Sequence, residues 1–287
     1  MNLQNIISEI EKVDPEVYDR LDTRRSAMRK FANLSGKVAV ASIPFALGSM
    51  FKTAYGQTNS TVNDVLNFAL TLEYLEAEFY NNIVGSVGYM TASAAAQGAL
   101  SKIKDDENKH VAFLKSVLGA AAVAKPTFDF TAGNGSGTGP FVGYLGNYAV
   151  QLAMAQTFED TGVRAYKGQA PALQGNRTVL TAALEIHSVE ARHASHIRQM
   201  RRALNAAIPA GQVVKPWITL NQSGIDFPPG NAAIQKSYNG EDAVTQAGVT
   251  ITGIGGNTYI DAKAASEAFD EPLTTAQVLD IVDPFIV

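Results

Sequence analysis

The chain has 287 residues, 46% apolar and 17% charged, with a formal net charge of −4 and no cysteine. That is enough material for one large domain or two smaller ones with a real core. The mild negative charge, with no basic cluster beyond a short run near the N-terminus, argues against a nucleic-acid partner, and without cysteine any metal must be held by oxygen and imidazole, which suits iron, manganese or zinc.

In chain order, Thr23 to Lys30 contains the pair Arg24-Arg25 and is followed by VAVASIPFALGSMF (38–51), 14 residues without a charge. A membrane span needs ~20 residues, and Pro44 interrupts this run, so no stable span is expected. The stretch reads as the apolar part of an export signal, with Ala54-Tyr55-Gly56 supplying small residues before a cut ahead of Gln57. Arg24-Arg25 after a long polar leader resembles a twin-arginine signal, although Ala27 and Met28 stand where that family has Phe and Leu. Residues 1–56 are therefore expected to direct the chain to the periplasm or cell envelope. The alternative is an N-terminal helix docked on the domain of a chain that stays cytoplasmic.

From Asn63, apolar residues recur at three- and four-residue steps through Leu66, Ala69, Leu70, Ala77 and Tyr80, which predicts a helix ended by Gly85 and Gly88. A second run extends from about Thr91 to Leu118. GNGSGTG (133–139) then breaks the periodicity. It lacks the Gly-Lys-Ser/Thr ending of a phosphate loop and a preceding strand, so it reads as a flexible connection. Two further helical runs, roughly 140–168 and 171–207, open on Pro140 and Pro171, residues suited to a first helical position. Short links within each pair and a long one between pairs predict an all-α antiparallel four-helix bundle with a single crossover over 60–207. Beyond it, prolines and glycines punctuate a loop-rich tail (208–287) with one hairpin near VTITGI (249–254) and a short closing helix capped by Thr274 or Thr275. This tail has no core of its own and is expected to wrap the bundle.

Chemistry concentrates in the bundle. Of four histidines in the chain, two follow a glutamate by three positions, as Glu107/His110 and Glu190/His193, and these pairs lie 83 residues apart. Helices one and three each add a glutamate seven places before a tyrosine, Glu73 with Tyr80 and Glu159 with Tyr166. Positions i and i+3 differ by ~60° around a helix axis, so both members of each pair face one interior. Four inward glutamates and two histidines suffice for two divalent ions with some carboxylates bridging. Buried without cations, each ionised carboxylate would cost several kcal/mol, whereas two divalent ions neutralise all four.

Neighbouring residues compete for these roles. Glu76 borders the stripe of Glu73, but aligning Tyr166 on Tyr80 places Glu159 on Glu73 and Gly162 on Glu76. The internal repeat thus selects Glu73 as ligand and leaves Glu76 to hydrogen-bond or face another helix. His187 and His196 lie ~90° to either side of the Glu190/His193 direction and read as rim or packing residues. Tyr80 and Tyr166 read equally as core aromatics or as hydrogen-bond donors to a ligand carboxylate. Glu78 reads as solvated, and Asp105, Asp106 and Asp160 as exposed helix charges.

The order Glu, Glu-x-x-His, Glu, Glu-x-x-His over about residues 60–207 resembles the ferritin-like superfamily of di-iron carboxylate proteins. LEYLEAEFY (72–80) and FDEPLTTAQVLDIVDPFIV (269–287) look closer to a bacterial and plant branch of desiccation-related, ferritin-like domain proteins. The resemblance implies Glu73, Glu107, His110, Glu159, Glu190 and His193 as metal ligands, two iron ions as cofactor with manganese second, and oxygen or peroxide as reactant. It further implies a ferroxidase-like or peroxide-removing activity in stress protection, tuned by Tyr80 and Tyr166. The export signal and long tail depart from plain storage ferritins, so cage assembly is not carried over and the oligomeric state stays open. A reading from another class is a stress-associated binding or structural protein whose metal only staples the bundle.

Overall fold

A computed structural model describes residues 60–204, 208–226, 232–246, 249–256 and 258–287. The expected export signal (1–56) lies outside them. Four long helices, α1 (Ser60–Ile83), α2 (Ala94–Leu118), α3 (Tyr148–Gln169) and α4 (Arg177–Ala203), pair as α1 with α2 and α3 with α4 in an antiparallel bundle. Gly85, at φ 90°, turns the chain out of α1, and a single helical turn (Val87–Met90) follows. The Ser93 side chain then accepts the Ala96 N–H to start α2, and Gly119, at φ 55°, stops it. Among the described residues no helix is long and apolar enough to cross a membrane.

The two prolines do not open the long helices. Pro140 sits in a turn, Gly143 takes φ 81°, and α3 starts only after Asn147, whose side chain accepts the N–H groups of Ala149 and Val150. Pro171 belongs to a 3-10 turn (Ala170–Leu173), and α4 begins at Arg177, with Asn176 accepting from Val179. A cap whose side-chain oxygen satisfies an otherwise unpaired helical N–H outweighs the fixed φ of a proline.

The crossover from α2 to α3 is built around Asp129, whose carboxylate accepts N–H groups from Thr131, Gly135 and Gly137 and the Thr131 hydroxyl. This knits the glycine-rich stretch into a defined loop. Phe130 enters an aromatic cluster with Phe79, Tyr144 and Phe158. Phe285 closes the cluster, with its ring 5.1 Å from Phe158, and pairing of Asp129 N with Phe285 O and of Val287 N with Thr127 O ties this end to the crossover.

The tail carries α5 (Ala232–Lys236), a hairpin of β1 (Thr245–Gln246) and β2 (Val249–Thr250) with Thr245 opposite Thr250, α6 (Ala262–Ser266), and α7 (Thr275–Val282). Thr274 caps α7 in a reciprocal box with Gln277. The tail covers α3 so completely that every residue from Val150 to Tyr166 is buried. At Gly168 the approach is so close that a Cβ would fall 1.9 Å from the Leu273 carbonyl oxygen.

The outward face of α3 is consequently polar but satisfied. Asp160 is buried and takes a two-pronged contact from Arg198 together with the Tyr238 hydroxyl at 2.8 Å. This corrects its reading as an exposed charge: the covering segment lies some 80 residues downstream, so no local pattern announces it. Gln156 bonds Tyr238 and Arg201, and Arg164 pairs with Glu241 while donating to the carbonyls of Ser237, Asn239 and Glu271. Buried charges held this way are costly to unpair, because removing one partner strands the other.

Candidate metal centre

The i, i+3 spacing does what helical geometry requires, and four helices bring their stripes together midway along the bundle. Glu73, Glu107, Glu159 and Glu190 are each 0% exposed, and His193 is 7% exposed. Donor atoms of Glu73, Glu107, His110 and Glu190 lie within 4.8 Å of one another, as do those of Glu107, Glu159, Glu190 and His193. Glu107 and Glu190 belong to both groups. Each group therefore has one private glutamate, one private histidine and two shared carboxylates, the arrangement expected of two ions with bridging ligands.

Hydrogen bonding alone does not account for this geometry. Nδ1 of His110 lies 3.1 Å from an oxygen of each of Glu73, Glu107 and Glu190. A single imidazole nitrogen carries at most one N–H and cannot serve three acceptors. Nδ1 of His193 is 2.8 Å from Glu107 Oε1, yet both atoms, with Glu159 Oε2 and both oxygens of Glu190, are buried without a hydrogen bond. Ligand atoms ~2.1 Å from one ion and at right angles to each other stand ~3.0 Å apart, so these contacts fit donors converging on cations. The donor set fits iron or manganese.

Protonation follows from the crowding of like charges. Burial, then the charges of Glu73 and Glu159, push Glu190 up to about 8, and burial with Glu190 pushes Glu107 up to about 7. Burial works to lower His193, but Glu159 and Glu107 carry it up to about 11. His110 is also raised, its burial outweighed by Glu73. Burial raises Glu73 too, but His110 wins and holds it below its ordinary value.

The tyrosines form a crossed pair. Tyr80 of α1 donates to Glu159 of α3, and Tyr166 of α3 donates to Glu73 of α1, both at 2.5 Å. Each thus fixes the private glutamate of the opposite half. Burial and these carboxylates raise both phenols well above their ordinary value, so the protons stay on them.

Residues 61–203 match a family model described as a ferritin-like domain. These residues are a ferritin-like domain. Neither the comparison with curated proteins nor that with solved structures gives a match.

The two remaining histidines fall outside the ferritin-like domain's centre. His196 is exposed, and His187 is half-buried towards the tail, where burial lowers it and Asp270 acts against that. Asp105 is exposed and Glu78 pairs with Lys125, whereas Asp106 is only 19% exposed and its carboxylate lies 3.6 Å from Nε2 of His193. Asp106 is thus the outer neighbour of a histidine on the facing helix, in ion pairs with Lys102 and Lys109. Its reading as a purely exposed charge is corrected. Adjacency to Glu107 was the available signal, but which neighbour faces α4 depends on helix pairing. Glu76 is buried as well, facing Gly162 of α3.

Proposed function

We propose that the ferritin-like domain holds two metal ions, iron first and manganese second, and uses them in redox chemistry with oxygen or peroxide. The observation that carries this reading is the buried, unpaired donor set in two groups sharing Glu107 and Glu190. When bound, iron would supply the electrons for reduction of oxygen or peroxide. The chain's own part is to hold the ligands and exclude water. Glu73 and Glu159 are steadied by their tyrosines, and the imidazole side chains, 11% exposed at His110 and 9% at His193 when the side chain alone is counted, are the ligand parts nearest solvent. Tyr80 and Tyr166 act as positioning residues.

Stopped-flow mixing of metal-free protein with Fe(II) and oxygen tests the activity. We expect oxidation well above the buffer rate, and a rate equal to buffer would remove it. The second reading, in which ions only staple four helices, is favoured by the complete burial of the four glutamates and is the one that a buffer-like rate would leave standing. A periplasmic or envelope role in stress protection belongs to the same proposal and rests on Arg24-Arg25 and the apolar run after it. N-terminal sequencing of host-purified protein should begin near Gln57, and an intact Met1 in a cytoplasmic fraction would overturn this location.

A further inference from the structure

The crossed tyrosine pairs set α1 and α3 antiparallel, with Glu73 beside Tyr166 and Tyr80 beside Glu159. Midway between these pairs, Glu76 of α1 meets Gly162 of α3, so the position where the internal repeat is broken lies at the middle of the centre. A glycine inside a helix costs ~1 kcal/mol relative to alanine. Here its missing side chain leaves room for carboxylates: a Cβ on Gly162 would stand 3.1 Å from Glu76 Oε1 and 3.4 Å from Glu190 Oε2. Glu76 is 3% exposed, and Glu190, its neighbour in this space, has both oxygens buried without a hydrogen bond. The glycine thus admits a fifth carboxylate to a centre whose repeat accounts for four.

We infer that Glu76 is an additional ligand carboxylate, seated between the two ion positions in the space Gly162 leaves, and that it makes the centre favour a higher total cation charge. This rests on the two-ion reading above. Five carboxylates balance five positive charges, one more than two divalent ions carry, so the pair that suits this centre best includes one trivalent ion. Glu76 does not replace Glu73, which remains in its four-atom group. Two divalent ions can still bind without Glu76, but less tightly.

Calorimetric titration of the full-length, metal-free protein with manganese(II) chloride tests this, using Glu76→Gln and Gly162→Ala. Gln keeps the size and removes the charge. Ala keeps the charge but, with its Cβ 3.1 Å from Glu76 Oε1 and 3.4 Å from Glu190 Oε2, obliges the carboxylate to give way by a few tenths of an ångström, while by itself favouring the helix. We expect wild type to bind two ions, and Glu76→Gln to bind two with at least one step weakened about tenfold. Gly162→Ala should be weakened about threefold or more. If both variants stay within about twofold of wild type, the inference fails and the two-ion reading stands. If Glu76→Gln weakens binding while Gly162→Ala does not, Glu76 acts through its charge alone and the inference again fails. If wild type binds no manganese, the two-ion reading fails for that metal and this inference with it.

Discussion

The two helical hairpins each present two glutamates and one histidine to the centre, yet their middle helices live in opposite surroundings. In α2 six residues are buried, spaced so that one stripe faces inward and the rest meets solvent. In α3 seventeen consecutive residues are buried, because the bundle covers one side and the tail the other. The ligand stripe is indifferent to this, since Glu107 and Glu159 are both 0% exposed. The centre is thus made by spacing within helices, and the remainder of α3 by a segment far along the chain.

The largest effect expected from breaking this contrast is at Asp160. Asp160→Ala strands Arg198 in the interior and should cost ~3–5 kcal/mol in urea denaturation, whereas Asp105→Ala on the open face of α2 should cost ~1 kcal/mol or less. Comparable losses would mean that the tail does not seal α3. The sameness of the two halves is tested by Glu73→Gln and Glu159→Gln, each of which should lose at least one ion per chain by elemental analysis, while Glu76→Gln keeps two. Smaller still, Tyr80→Phe and Tyr166→Phe should each weaken metal binding about tenfold. A marked inequality between them would show that the crossed pairs are not equivalent.

The smallest expected effect is on pH dependence. Glu107 and Glu190 are raised from 4.5 to about 7 and about 8 in the metal-free fold, and Glu241 to about 8, burial being the largest cause in each. The folded state therefore binds more protons than the unfolded one between pH 4.5 and 8, and stability falls as pH rises through that window. His193, raised from 6.5 to about 11, adds the same sign above pH 6.5. Melting temperature without metal should drop by several degrees from pH 5 to 8, and saturating manganese(II) should remove most of the drop. An unchanged slope would place its source in Glu241 and the tail rather than in the centre.

What could be read from the sequence follows the same division. The four helices and their Glu and His stripes are local periodicities, and the structure brings all six residues together. The starts of α3 and α4 were misplaced because Pro140 and Pro171 resemble first-turn residues, while the decision lay with the side chains of Asn147 and Asn176. In the tail, α5 and α6 have five residues each, too few for a helical period to register. Asp160 on α3 reads as an exposed charge because charge usually marks solvent, and its partners come from another helix and the tail.

The bonds that roof α3 also bear on the order of assembly. Arg164 reaches partners 73 to 107 positions away, whereas each hairpin closes on near neighbours. Contacts of such separation form late in folding, and the crossed tyrosine pairs between the hairpins, 79 and 93 positions apart, share that delay. The helices of each hairpin should therefore form first with the polar face of α3 still wet, and the tail should dock in a slower step. The chain's single tryptophan, Trp217, lies in that tail, with Lys215 5.9 Å from its ring. It is a built-in clock for docking: in refolding experiments tryptophan fluorescence should settle after helical circular dichroism, and coincident traces would mean that bundle and roof form as one.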